Sequence, residues 1–227
     1  DLSLNFADCR LQLSSDIRLA KGAEIKGFGI TSHVETDSIH TRIDLGQDAT
    51  GEANGLIGVG THFSQETNYG VKGTSLSTSF SLAPSRIRIN GEDWTIAPAQ
   101  VQLHQGQVRI HGLDLSSTER RISIDGALSN QPNEYLNVAL RKINLLYILQ
   151  SAGVTFDMLD TELTGNAKAS LRSGVIQASA EVSSPAFYVK GVDVGALRAG
   201  LTFDSKDGRI MLRGHVAQAD GGTSDVE

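Results

Sequence analysis

Cysteine occurs once in the 227 residues, proline four times, and aromatic residues make up only 5%. A single thiol excludes an internal disulfide framework and a cysteine-rich zinc site. Cys9 sits in an alternating run with Leu11 and Leu13, where a thiol acts as a small buried apolar residue. Excess positive charge is also missing, since 20 Lys and Arg stand against 26 Asp and Glu for a formal net charge of -6. Nucleic acids and anionic membranes are held by clustered Lys and Arg, so the balance of the whole chain argues against both. The longest apolar run, Leu145 to Leu149, is far below the roughly 20 residues that span a bilayer. The chain starts at Asp1 and closes on the polar run Gly221 to Glu227. It therefore reads as a soluble piece of a longer protein, with any anchor outside it.

What is present is alternation. Residues 84–128 place Ile87 and Ile89, Trp94 and Ile96, Val101 and Leu103, Val108 and Ile110, and Ile122 and Ile124 in pairs one residue apart. A period of two with one apolar face per segment predicts strands. Asn90 to Asp93, Gln105 to Gln107 and Ser116 to Glu119 supply turn chemistry at hairpin length. An antiparallel meander follows. Gly112 interrupts it, because Leu113 and Leu115 fall out of phase with Val108 and Ile110; a bulge there would restore the facing.

The same period recurs in Leu2 to Phe6, Leu11 and Leu13, Ile17 and Leu19, Phe28 and Ile30, and Ile43 and Leu45. It returns in Leu136, Val138 and Leu140, then through Leu163 to Leu171, Ile176 to Val182, Leu197 to Phe203, and Ile210 and Leu212. The period changes once, in Asn144 to Gly153, where an N-capping Asn, apolar residues at 145, 146, 148 and 149 and a terminal Gly predict a short helix. Residues 46–55 read as a turn-rich break. The organisation expected is strands over 1–83, the meander over 84–143, the helix over 144–153, further strands over 154–220 and a polar tail over 221–227.

An all-β chain with this many strands must curl, since open sheets rarely exceed about ten strands without doing so. A closed sandwich or barrel is usually filled with aromatic residues, which are scarce here. Ile, Val, Leu and Ala suit the lining of an open trough better. The predicted fold is an elongated, twisted antiparallel sheet curled into such a trough, with one short helix. The lining expected is Ile87, Ile89, Trp94, Ile96, Val101, Leu103, Val108, Ile110, Ile122, Ile124, Leu136, Val138 and Leu140.

Catalytic and metal chemistry have little support in the sequence. The histidines at 33, 40, 62, 104, 111 and 215 are scattered over strands. Asp204 and Asp207 before Gly208 lack the alternating ligands and closing Glu of a calcium loop. Glu92 and Asp93, like Asp157 and Asp160, read as solvated turn or helix-end residues. Gly58-Val59-Gly60 has Phe63 where a dinucleotide motif needs a third glycine, and no serine lies in a nucleophile elbow. No enzyme, cofactor or metal is expected.

The series IRINGEDWTIAPAQVQLHQGQVRIHGLDLSSTERRISIDGALS, then YLNVALRKINLLYIL and LDTELTGNAKASL, resembles the TamB family of Gram-negative translocation and assembly proteins, in a form like that of Bacteroidota. The resemblance covers residues 84–171 best. It implies a periplasmic segment of a protein anchored in the inner membrane, with an AsmA-like trough open to phospholipid acyl chains. It also implies an outer-membrane barrel assembly protein as partner. Transport of phospholipid between the two membranes is then the expected function. A scaffold that pairs its strands with an unfolded outer-membrane protein and a structural module with a closed core are the alternatives, and the interior decides among them.

Overall fold

A computed structural model of the chain describes residues 2–5, 9–18, 24–48, 54–67, 74–89, 91–144, 159–189, 191–218 and 222–226. The protein is all-β, and every strand pairing resolved in it is antiparallel. Two compact units divide at Thr118 and Glu119, inside the segment 84–143 that the sequence pattern groups together.

The first unit holds β1 (Leu2–Asn5), β2 (Arg10–Arg18), β3 (Glu24–Val34), β4 (Ser38–Asp48), β5 (Asn54–Thr67), β6 (Thr74–Leu82), β7 (Ser85–Ile89), β8 (Glu92–Ile96), β9 (Ala99–His104) and β10 (Gln107–Ser116). β1 to β5 form a simple meander, each strand paired with the next. Beyond β5 the chain does something the alternation alone does not disclose. One part of β5 pairs with β6 and its first residues pair with β7; β6 in turn pairs with β9, β7 with β8, and β10 with both β9 and β8. β6 and β7 are thus one row broken at Ala83-Pro84. β8 and β9 are the neighbouring row, broken at Ala97-Pro98.

The two breaks face each other, because Leu82 pairs with Ala99 on one side of them and Ser85 with Ile96 on the other. Proline has no N–H to give a ladder, so each break interrupts the hydrogen bonding of its row. The backbone groups find other partners. Ser85 Oγ accepts from the Gly58 N–H at 3.3 Å and donates to the Ala83 carbonyl at 2.8 Å, while the Ala97 N–H donates to the Asp114 carbonyl at 2.9 Å. Ser85 is only 6% exposed, so Ser85→Ala removes a buried hydroxyl and with it two part-buried hydrogen bonds to the backbone. That substitution should cost about 1–3 kcal/mol, read as a lowered urea midpoint of the first unit.

Each break carries two residues between the resumed pairings, which shifts the alternation by one and keeps the apolar side chains on a common face. In β10 the same shift passes through Gly112, whose φ of 71° lies in the region open to glycine. Leu115 there pairs with Ile96, while Ile110 pairs with Val101. The core of this unit gathers beside the breaks, with Ile87, Trp94, Ile96 and Ala99 buried. Ile87 packs over Gly55, where an added Cβ would meet Ile87 Cγ2 at 2.7 Å.

The second unit is a meander of β11 (Arg121–Leu128), β12 (Leu136–Asn144), β13 (Leu159–Arg172), β14 (Val175–Val189), β15 (Val192–Asp204), β16 (Arg209–Ala217) and β17 (Thr223–Val226). Its buried residues include Ala127, Ile143, Leu163 and Val216. β12 carries a bulge between Leu140 and Ile143, where Lys142 has a φ of 50°. The displaced Lys142 backbone is held by neighbours, its N–H donating to Thr164 Oγ1 at 3.1 Å and its carbonyl accepting from Arg120 Nε at 3.2 Å. Pro185 marks a further bulge in β14. There the buried Thr161 and Ser184 hydroxyls lie 2.6 Å apart, and both are within reach of the Ala186 carbonyl, so that one hydroxyl donates to the other and the second donates to the carbonyl.

Four expectations need restating. Cys9, expected to be a small buried apolar residue, is exposed in the turn before β2 with a φ of 48°. No helix occurs among the described residues; the helix expected over 144–153 lies outside them except for Asn144, which ends β12. Most of the break expected at 46–55 belongs to strands, with β4 running to Asp48 and β5 starting at Asn54; residues 49–53 lie outside the described set. Finally, Thr223–Val226 of the polar tail is a strand, because the edge of β16 offers it a backbone ladder that needs no apolar side chain.

Candidate functional site

Cross-strand partners share a face, and residues two apart along a strand do so as well. In the first unit, one face is carried across the sheet by rungs such as Leu13–Ile30–Ile43–Ile57 and Leu11–Ser32–Thr41–Val59–Leu82–Ala99. A third rung runs Val34–Ile39–Thr61–Phe80–Val101–Ile110. Its few polar residues look after themselves, as the Ser32 and Thr41 hydroxyls do at 3.0 Å. Of the expected lining, Ile87, Trp94, Ile96, Val101, Leu103, Val108 and Ile110 all lie on this face. Ile89 pairs with Glu92 at the hairpin end, and its side chain falls outside the described set.

In the second unit the aliphatic face is built the same way. Its rungs are Ile122–Leu140–Gly165–Val182–Ala199–Gly214, Ile124–Val138–Ala167–Ala180–Leu201–Leu212 and Leu136–Ala169–Ala178–Phe203. Ile122, Ile124, Leu136, Val138 and Leu140 therefore share one face. The strands after residue 159 widen it with residues that the alternation marks as strand but that were not singled out as lining. Their smaller side chains, Gly165, Ala167, Ala169, Ala178 and Ala180, are what hid them.

Burial separates the expected residues into two kinds. Ile87, Trp94 and Ile96 are core, at 8%, 8% and 6% exposure. Val101, Val108, Ile110, Ile122, Ile124, Leu136, Val138 and Leu140 are half-buried, and Leu103 is exposed. Among the described residues no large side chain is fully buried, and Leu103, Leu212 and Val34 expose 38%, 43% and 43%. Much aliphatic surface therefore remains in contact with solvent.

The opposite face of each unit is polar. In the first it carries His33, His40, His62, His104 and His111, and in the second Lys168, Glu181, Arg198, Arg213 and His215. Depressions open on both polar faces, one of about 440 Å³ at β2 to β6 and one of about 500 Å³ at β13 to β16. Among the described residues no three His, Cys, Asp or Glu side chains are grouped so as to hold a metal ion.

The shifted carboxylates lie away from both aliphatic faces. Lys142 Nζ donates to Glu119 Oε2 at 2.6 Å, and this bond, then the charges of Lys142, Arg120 and Arg141, holds the Glu119 carboxyl below its ordinary range. A depressed carboxylate stabilises the fold above its unfolded value and loses that contribution as pH falls through the folded one. Lys142→Met should therefore raise the Glu119 titration midpoint toward ordinary carboxylates, as followed by carbonyl carbon NMR. Asp204 is lowered by the Gln177 side-chain amide at 3.0 Å and then by the Lys206 N–H at 2.8 Å. Both groups pin strand ends and turns.

Comparison with known protein families, with curated proteins and with solved structures finds no match to this chain.

Proposed function

We propose that the chain is a periplasmic segment of a phospholipid conduit, its aliphatic faces cradling acyl chains on their way between the inner and outer membranes of a Gram-negative bacterium. The observation that carries the reading is an aliphatic face that runs from strand to strand in each unit and stays half-exposed. Contiguous apolar surface of more than a few hundred Å² on a soluble domain marks a site for another apolar surface. An acyl chain in water is penalised by about 0.8 kcal/mol per CH₂, so contact with Ile, Val and Leu side chains lowers that penalty. A face lacking convergent polar groups binds weakly enough to let the chain move on.

In this reading each sheet curls into an open trough around the acyl chain, and head groups stay in water. The protein is not an enzyme and needs no cofactor. The resemblance to the TamB family adds an inner-membrane anchor outside the chain and an outer-membrane barrel assembly protein as partner.

The test is lipid extraction and mass spectrometry of the purified chain after incubation with phospholipid vesicles. Bound phospholipid, displaced by a competing fatty acid, is the expected result. A lipid-free chain that instead captures a strand of an unfolded outer-membrane protein would replace the proposal with an assembly scaffold. A lipid-free chain that binds neither would leave a structural module.

A further inference from the structure

On the polar face of the first unit, we infer a binding site for a phosphate group, in the depression of about 440 Å³ bordered by Arg10, His33, His40 and Arg42. The register assembles it. Arg10 pairs with His33, His33 with His40, and His40 with Gly60, while Arg42, one rung away, pairs with Gly58. Two glycines thus stand where side chains would fill the middle of the sheet. Part of the space over Gly60 is taken by Ser81 Oγ, 2.5 Å from where a Cβ would lie, and the His40 ring borders it at 3.7 Å.

The two guanidinium groups at the depression have no ion-pair partner among the described residues. The side chains of Arg10, His33 and Arg42 make no hydrogen bond or ion pair with any described residue. The nearest acids lie at its margin, Glu35 approaching His40 at 3.9 Å and Asp44 accepting from the Gly46 N–H at 2.9 Å. In a chain of net charge -6, two free guanidinium groups beside two imidazoles form a local exception. The depression of the second unit differs, because Glu181 lies between its cations and Lys168 stands over the Tyr135 ring at 6.0 Å.

Guanidinium forks match phosphate oxygens in pairs, and imidazole N–H groups add donors from the neighbouring strands. A volume of this size takes a phosphorylated head group or a small free phosphate compound. The site lies on the face opposite the aliphatic one, so it stands or falls separately from acyl binding.

The test uses the whole chain and two probes. Inorganic phosphate is titrated while amide and arginine side-chain NMR signals are followed, and flotation is measured with phosphatidylglycerol vesicles against phosphatidylcholine vesicles. Saturable shifts at residues 10, 33, 40 and 42, weakened tenfold or more in R10Q/R42Q and unchanged in Lys206→Gln, are expected. Flotation only with phosphatidylglycerol, lost in the same double variant, identifies a lipid head group as the source. Phosphate binding without flotation identifies a free phosphate compound. Because both arginines are exposed and without partners, the double variant should keep its circular dichroism spectrum. The proposal is overturned if neither probe binds at millimolar phosphate, or if binding survives R10Q/R42Q unchanged.

Discussion

Ile124→Asp should leave the second unit folded and strip it of bound lipid. Ile124 sits in β11, paired with Val138 of β12 on the aliphatic face, and both side chains are half-buried. A carboxylate at a half-exposed position keeps much of its hydration, so the fold loses only the apolar contact that Ile124 made. An acyl chain lying across the same rung would have to strip water from that carboxylate. Such desolvation without a partner costs several kcal/mol, more than a few methylene contacts return. Val138→Arg makes the same test from the neighbouring strand.

The two measurements are the thermal midpoint and lipid bound by mass spectrometry, taken on one sample. A midpoint within a few degrees of wild type together with loss of lipid is the expected outcome. A collapsed midpoint would mean that Ile124 belongs to a closed core, and a folded variant with unchanged lipid would remove this rung from the path.

Much of the sheet could be read from a period of two, because alternation is a local property and the pairs Val101 and Leu103 or Val108 and Ile110 declare their common face directly. Phase is different. Ala83-Pro84 and Ala97-Pro98 each look like ordinary turn punctuation, and only their placement opposite one another in neighbouring rows shows that two long strands are broken at one level. Gly112 could be flagged because Leu113 and Leu115 were out of step, and β10 does change phase there. Strand β17 could not, since Thr223 to Val226 have no apolar alternation and owe their conformation to the edge of β16.

The same distinction applies to the sites. The aliphatic residues of 87–140 were legible, but the middle of the face on β13 and β14 is Gly165, Ala167, Ala169, Ala178 and Ala180, whose hydrophobic signal is weak. On the polar face, His33 and His40 lie seven residues apart in sequence and become direct neighbours only through the β3–β4 register. Arg10 joins them from a third strand. A cationic depression assembled across strands in this way leaves no spacing for sequence reading to find.

Trp94→Ala should unfold or nearly unfold the first unit, in contrast to the mild effect of cutting back residues on the open part of the same face. Trp94 is the chain's only tryptophan, 8% exposed, in β8 against Ile87 of β7. Ile87 is itself seated over Gly55, so the indole covers a place where three strands and a missing side chain make a buried core. Removing a large buried aromatic costs about 3–5 kcal/mol, a large part of the roughly 5–15 kcal/mol that holds a domain together. Leu103, 38% exposed on the same face, already meets water, and Leu103→Ala should cost less than about 1.5 kcal/mol because little area leaves solvent on folding. The comparison is made by urea unfolding followed by far-ultraviolet circular dichroism, with methyl NMR signals of Ile122 and Ile124 reporting the second unit. Trp94→Ala should lower only the transition of the first unit while those methyl signals persist to the wild-type midpoint. Equal costs for the two substitutions would show that the first unit has no localised core beside its proline breaks, and that stability is spread evenly along the sheet.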